Sequence, residues 1–159
     1  MSNQKITPCL WFETQALEAA EFYTSIFPNS AIHHVQRAPT DTPGQKAGGV
    51  LLVVFSLAGQ GYQALNGGKH ETFNDAVSLS VICEDQAEVD RLWEHFAQGG
   101  KTSVCGWLKD RWGFAWQIAP RRFFELMDDP DAERKNRVFA AMLKMTKLDI
   151  AGLEAAARG

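Results

Sequence analysis

A strand, helix and hairpin pattern that begins near Ile6 recurs about seventy residues later near Ala76, with little residue identity between the two passes. When the passes are overlaid, Ala19, Phe22, Tyr23 and Ile26 fall on Val89, Leu92, Trp93 and Phe96, so one apolar helical stripe lies over another. Neither pass is large enough to bury a core of its own. Two copies side by side can make one curved sheet with helices outside and a hollow inside, and a hollow is where binding or chemistry takes place.

The 159 residues, 45% of them hydrophobic, suffice for one well-formed core and not for two large independent domains. Net charge is −3, and the stretch from Arg121 onward balances eight Lys/Arg against seven Asp/Glu. No basic face is offered to phosphates, so nucleic acid is not an expected partner. The longest apolar run, Val50 to Ala58, is interrupted by Ser56 and falls well short of the roughly 20 residues that span a bilayer, so no membrane partner is expected. Met1 to Lys5 is short and polar, without the pattern of an export leader. Cys9, Cys83 and Cys105 are odd in number, widely spaced and without CxxC, which suits reduced thiols in a cytoplasm, buried as small hydrophobes.

Along the chain, Ile6 to Phe12 alternates as a strand, Ala16 to Phe27 follows helical spacing, and Pro28-Asn29-Ser30 stops that helix. Ala31 to Arg37 and Val50 to Leu57 are strands separated by a loop rich in proline and glycine. The turn Ala58-Gly59-Gln60-Gly61 returns the chain as Tyr62 to Leu65, completing βαβββ. The second pass runs through a strand at Ala76 to Cys83, a helix from Gln86 to Ala97 ending at Gly99-Gly100, and strands at Cys105 to Leu108 and Gly113 to Ala119 joined by a turn around Lys109 to Trp112. Its weak point is the strand that Lys101 to Val104 must supply. From Pro120 the pattern is helical: Arg121 to Met127, Asp131 to about Met145, and Asp149 to Ala157, with Asp131 and Asp149 as N-caps. Val138, Phe139, Met142, Leu143 and Met145 form one apolar face, and this tail is expected to pack outside the sheet or on a second subunit.

The opening Ile6-Thr7-Pro8-Cys9-Leu10-Trp11-Phe12, with Ala20-Glu21-Phe22-Tyr23 and Ile26-Phe27-Pro28-Asn29-Ser30, resembles PhnB-like proteins of the glyoxalase/bleomycin-resistance, or vicinal oxygen chelate, superfamily. The resemblance continues through Ala64 to Gly68, Val77 to Val81, Cys105 to Asp110 and Trp116-Gln117-Ile118, and extends over the helical tail. It implies an α+β fold: one domain over 1–159 in which two βαβββ modules, about 5–68 and 73–120, form a cupped mixed sheet, with the helical tail at 121–159. It implies a homodimer, and it carries the description 3-demethylubiquinone 3-methyltransferase-like.

Metal-using members of that superfamily hold a divalent ion with His, Gln and Glu side chains, a pair from each module. Carried over by the aligned helix starts and glycine turns, those places fall on Pro8, Gln63, Ser78 and Gln117. Proline has no donor atom, and a hydroxyl with two neutral amides is a poor set for a transition metal, so no metal and no cofactor is expected. His33 and His34 are adjacent on a strand and are expected on opposite faces. His95 sits on a helix surface, and His70, in the loop after Gly67-Gly68-Lys69, is kept as an acid, base or ligand.

Gln63, Ser78 and Gln117 can instead converge on a small polar ligand, as recognition groups rather than activating ones. Strand alternation sends Trp116 and Phe114 to the helix-covered face if Gln117 points into the cup, while Trp112, in a turn, is a candidate for the cavity mouth or a dimer contact. Lys109, Asp110 and Arg111 form either a solvated turn or an anion clamp, and Cys105 lacks a neighbouring base to activate it. Three function classes follow. The first is a small-molecule-binding module. The second is an enzyme, either metal-assisted through an unanticipated ligand set or a methyltransferase; a nucleotide-type methyl donor is normally held by a glycine-rich turn in a doubly wound fold, and this chain has neither. The third is a scaffold subunit without chemistry. The sequence favours the first.

Overall fold

The computed structural model describes residues 4–159; Met1 to Asn3, part of the polar start, lie outside the described residues. The chain forms two compact units, one ending at Phe73 and the other starting at Asn74.

The first unit holds β1 (Cys9–Phe12), α1 (Ala16–Ile26), β2 (Ala31–Arg37), β3 (Val50–Leu57) and β4 (Gln60–Asn66). Its sheet order is β1-β4-β3-β2, with β1 parallel to β4 and the other pairs antiparallel. Alternation along β3 and β4 places Val53, Phe55, Tyr62 and Ala64 under α1, where Phe55 lies between Tyr23 and Tyr62 at ring separations of 6.5 and 5.6 Å. The start of α1 has no cap from its own preceding residue, Gln15. Asn66, 1% exposed, fills that role from β4: its Oδ1 accepts from the Ala16 N–H at 2.8 Å while its Nδ2 donates to the Val50 carbonyl at 2.9 Å.

The second unit repeats the topology: β5 (Ser78–Cys83), α2 (Gln86–Ala97), β6 (Lys101–Thr102), β7 (Trp107–Lys109) and β8 (Ala115–Pro120), in the order β5-β8-β7-β6 with β5 parallel to β8. Asp85 caps α2 by accepting from the Glu88 N–H, and Gly99 follows the helix at φ +78, the left-handed conformation its position called for. Trp116 stacks on Phe96 of α2 at 4.4 Å, on the helix-covered face as alternation required. The weak strand is short indeed, two residues of β6. Cys105, expected in a strand, instead takes φ +60 in the link between β6 and β7; its N–H donates to the Met145 carbonyl at 2.7 Å, and the Gly106 N–H to Thr146 at 2.9 Å.

Those carbonyls belong to the tail, α3 (Arg121–Met127), α4 (Ala132–Met142) and α5 (Ile150–Arg158), whose last two helices are capped by Asp131 and Asp149. Leu126, Val138, Met142, Leu148 and Leu153 bury together with Ala119 of β8. The apolar face foreseen on α4 is narrower than expected: Val138 and Met142 are buried, but Phe139 and Leu143 are 44% and 52% exposed, because α4 ends at Met142 and Phe139 lies one residue, about 100°, around from Val138. Gln86 of α2 clasps the tail from both sides of its amide, donating to the Leu148 carbonyl at 3.2 Å and accepting from the Ile150 N–H at 2.9 Å. The tail therefore packs on its own unit. Among the described residues no helix is long and apolar enough to cross a membrane.

Candidate functional site

In the second unit the face of the sheet away from α2 is fixed by register. Ser80, Gln117 and Trp107 stand in one row, and Ser78, Ala115, Lys109 and Lys101 in the next, since Trp116 and Ile118 are committed to the helix side. Gln117 and Ser78 are brought together, with Gln117 Nε2 donating to Ser78 Oγ at 2.8 Å. The bond uses one amide N–H and one hydroxyl lone pair. The acceptor Oε1 and the hydroxyl proton are left to engage a ligand.

The first unit carries the same pair of residue types, one residue away from where helix alignment placed it. Gln63 pairs with Cys9 on the parallel strand, as Gln117 pairs with Ser80. Two residues before these partners, on the same face, stand Thr7 and Ser78, so the counterpart of Ser78 is Thr7 and not Pro8. The slip has a plain cause. Glu13, Thr14 and Gln15 connect β1 to α1, whereas only Glu84 and Asp85 connect β5 to α2, and a strand shifted by one residue turns every side chain to the other face. Each unit thus presents one hydroxyl and one amide at equivalent positions. Thr7 and Gln63 border a cavity of about 350 Å³ together with His33 and His34.

The presence of both histidines there corrects the expectation of opposite faces. Ile32 pairs with Phe55 and His34 with Val54, leaving His33 as an extra residue in a β-bulge. Ile32 and Val35 both pair with residues of the buried row, Phe55 and Val53, so His33 and His34 share the face away from α1. His33 Nε2 lies 2.9 Å from Ser56 Oγ on that face.

Other foreseen residues lie elsewhere. His70 is exposed in the loop after β4, its N–H bonded to the Gly68 carbonyl. Trp112 is half-buried in the β7–β8 turn with the Arg111 guanidinium 5.5 Å over its ring. Asp110 is no anion clamp: 3% exposed, it accepts from the N–H groups of Trp112 and Phe114, each at 3.0 Å, and from Trp116 Nε1 at 2.8 Å. Lys109 pairs with Asp75 at 3.1 Å and borders a second cavity, about 440 Å³, with Lys101, Cys105 and Trp107. Trp11 rests on Gly67, where any Cβ would collide with the indole, and its Nε1 donates to the Gly68 carbonyl at 2.9 Å. Of the cysteines only Cys83 is buried; Cys105 is half-buried and Cys9 exposed, contrary to the expectation of three buried thiols. Cys9 faces away from α1 because Leu10 and Phe12 take the buried alternate positions. Burial pushes the Cys83 thiol up to about 12, aided by the Glu88 carboxylate.

Thr7, Gln63, Ser78 and Gln117, which the register sets at the places expected to correspond to the superfamily's metal ligands, offer only neutral donors. These do not fit a transition ion, which favours imidazole, carboxylate or thiolate. Among the described residues no cluster of three or more His, Cys, Asp or Glu could hold a metal ion.

The family model described as 3-demethylubiquinone-9 3-methyltransferase matches residues 4–119. The chain belongs to this PhnB-like family. Its match ends before α3, so the tail stands outside it, although the sequence resemblance was expected to include those helices. The solved PhnB protein of Bacillus cereus, provisionally given the same methyltransferase description, is 36% identical with a TM-score of 0.67, covering 74% of this chain and 99% of its own. A Pseudomonas aeruginosa protein, 19% identical with a TM-score of 0.56, covers 74% of this chain and 98% of its own and shares the fold. So does the fosfomycin resistance protein FosX of Listeria monocytogenes, 14% identical with a TM-score of 0.50, over 76% of this chain and 94% of its own. The fold is that of the glyoxalase/bleomycin-resistance superfamily. No curated protein matches the chain.

Proposed function

We propose that this PhnB-like protein binds small polar molecules without a metal, through Ser78 and Gln117 in the second unit and through Gln63, with Thr7 added by the corrected register, in the first. The observation that carries the reading is the Gln117–Ser78 hydrogen bond, with the same pair of residue types, Gln63 and Thr7, lining a cavity of the first unit. A hydroxyl and an amide held by rigid strands offer a donor and an acceptor at fixed spacing, which is what recognition of a polar ligand needs. Trp112 and His70 are proposed as peripheral contacts. The working form is a single domain over 1–159, a homodimer in the cytoplasm, a setting that suits three free thiols.

Methyl transfer, the activity in the family's description, is the second reading. Against it stand the link from β1 to α1, Glu13-Thr14-Gln15, which has no glycine to admit a nucleotide-type donor, and two mixed sheets in place of a doubly wound parallel one. The test is a melting-temperature screen against small aromatic and anionic compounds in metal-free buffer, followed by calorimetry on the best binder. Gln117→Ala and Gln63→Ala are each expected to weaken that binder about tenfold, the loss of a buried hydrogen bond to a ligand. Unchanged affinity in both variants removes these residues from the site, and turnover with a methyl donor replaces the binding reading with the enzymatic one.

A further inference from the structure

The β2 bulge is a costly way to place two imidazoles. Without the extra residue, either His33 or His34 would point under α1 into the layer of Val53 and Phe55, both fully buried. With it, both rings border the 350 Å³ cavity on the opposite face, and Gln63 stands in the His34 row, across Val54. The Ser56 hydroxyl also fixes one ring. If Oγ accepts from His33 Nε2–H, the proton is held on Nε2 and Nδ1 is left with its lone pair, which is the arrangement by which an outer hydrogen bond readies a histidine as a ligand.

The lining contains no lysine, arginine, aspartate or glutamate. No cation is there to attract an anion, while two imidazoles are donors that zinc- and copper-class ions take. The volume leaves room for water in the remaining coordination positions.

We propose that His33 and His34 form a two-imidazole site for a divalent ion of the zinc class on this face of the first unit, with the Gln63 amide oxygen and water completing its shell. The site shares Gln63 with the small-molecule reading and none of the other three superfamily positions, so the two histidine substitutions test it while Gln117→Ala tests that reading.

Tag-free protein titrated with zinc chloride by calorimetry is expected to bind one ion per chain. Two of the four histidine rings should shift in imidazole NMR spectra on saturation. His34→Ala, and His33→Asn, which keeps a polar group beside Ser56, should each weaken binding at least about tenfold. His70→Ala, His95→Ala and Cys9→Ser should bind as the unmodified chain does. Both substituted histidines are exposed, so circular dichroism should report an unchanged fold. No binding at millimolar zinc, or binding that survives both histidine substitutions, overturns the proposal. Loss of zinc on Cys9→Ser alone would do the same by assigning the ion to the thiol.

Discussion

Asp110 offers the sharpest test of the second unit, because it was a plausible ligand clamp by sequence and is a structural tie by geometry. Its carboxylate, 3% exposed, accepts three N–H donors within the β7–β8 turn. Two of these, the Phe114 amide and the Trp116 indole, are buried where water cannot replace the lost acceptor. Each orphaned buried donor costs about 1–3 kcal/mol, so Asp110→Ala should destabilise the protein by about 3–5 kcal/mol after relief of the buried charge. That is a large share of the roughly 5–15 kcal/mol typical of a domain, and at about 2–4 °C per kcal/mol it lowers Tm by roughly 10 °C. Asp110→Asn keeps one oxygen for the two backbone donors but turns an NH₂ toward the Trp116 indole, donor against donor, and should cost about 2 kcal/mol. Urea denaturation followed by tryptophan fluorescence measures both. An Ala variant within about 1 kcal/mol of the unmodified chain, or an Asn variant as unstable as Ala, would refute the reasoning.

Thiol labelling should follow exposure and burial: at pH 8 the exposed Cys9 reacts first, and Cys83, with its thiol pushed up to about 12, only after denaturation. Labelling of Cys83 in the folded protein at the rate of Cys9 would contradict its placement under α2. The Asp90 carboxyl is held below its ordinary value first by the Lys147 ammonium, 2.6 Å away, and then by the Gln86 amide. A depressed acid of this kind contributes stability that is present above the ordinary carboxylate pKa and lost as pH falls through the folded value. The docked tail should therefore loosen below about pH 4, seen as faster exchange of the Gly106 amide, and Asp90→Asn should flatten that dependence. Equal acid sensitivity in the two proteins would remove the pair from that role.

Much of the architecture was legible because it is written in local patterns. The bounds of β2, β3, α2 and α3 follow from β-branched runs, helical apolar spacing and turn residues, and Asp131 and Asp149 cap as their chemistry dictates. What escaped was set by partners distant in sequence. Asn66 has no local signal as the cap of α1, since its role depends on β4 lying parallel to β1. The left-handed Cys105 is held by carbonyls forty residues further on, at Met145 and Thr146.

The two errors at the site share one origin, and it bears on how a duplicated half-module should be compared. Helix starts align the two passes well, yet faces are a property of strands, where a single residue decides between core and cavity. The extra residue in the β1–α1 link moved the comparison from Thr7 to Pro8 and made the first unit look as though it had lost a donor that it retains. The extra residue in β2 had the opposite effect, making two histidines look divided between faces that they share. Once both are counted, the first unit has a hydroxyl, an amide and two imidazoles around one cavity, while the second joins its hydroxyl and amide by one hydrogen bond that leaves the Gln117 Oε1 and the Ser78 proton to a ligand. The difference between the two units is then asymmetric: the second adds a tail clasped by Gln86 and a turn tied by Asp110, while the first adds two imidazoles beside its hydroxyl and amide.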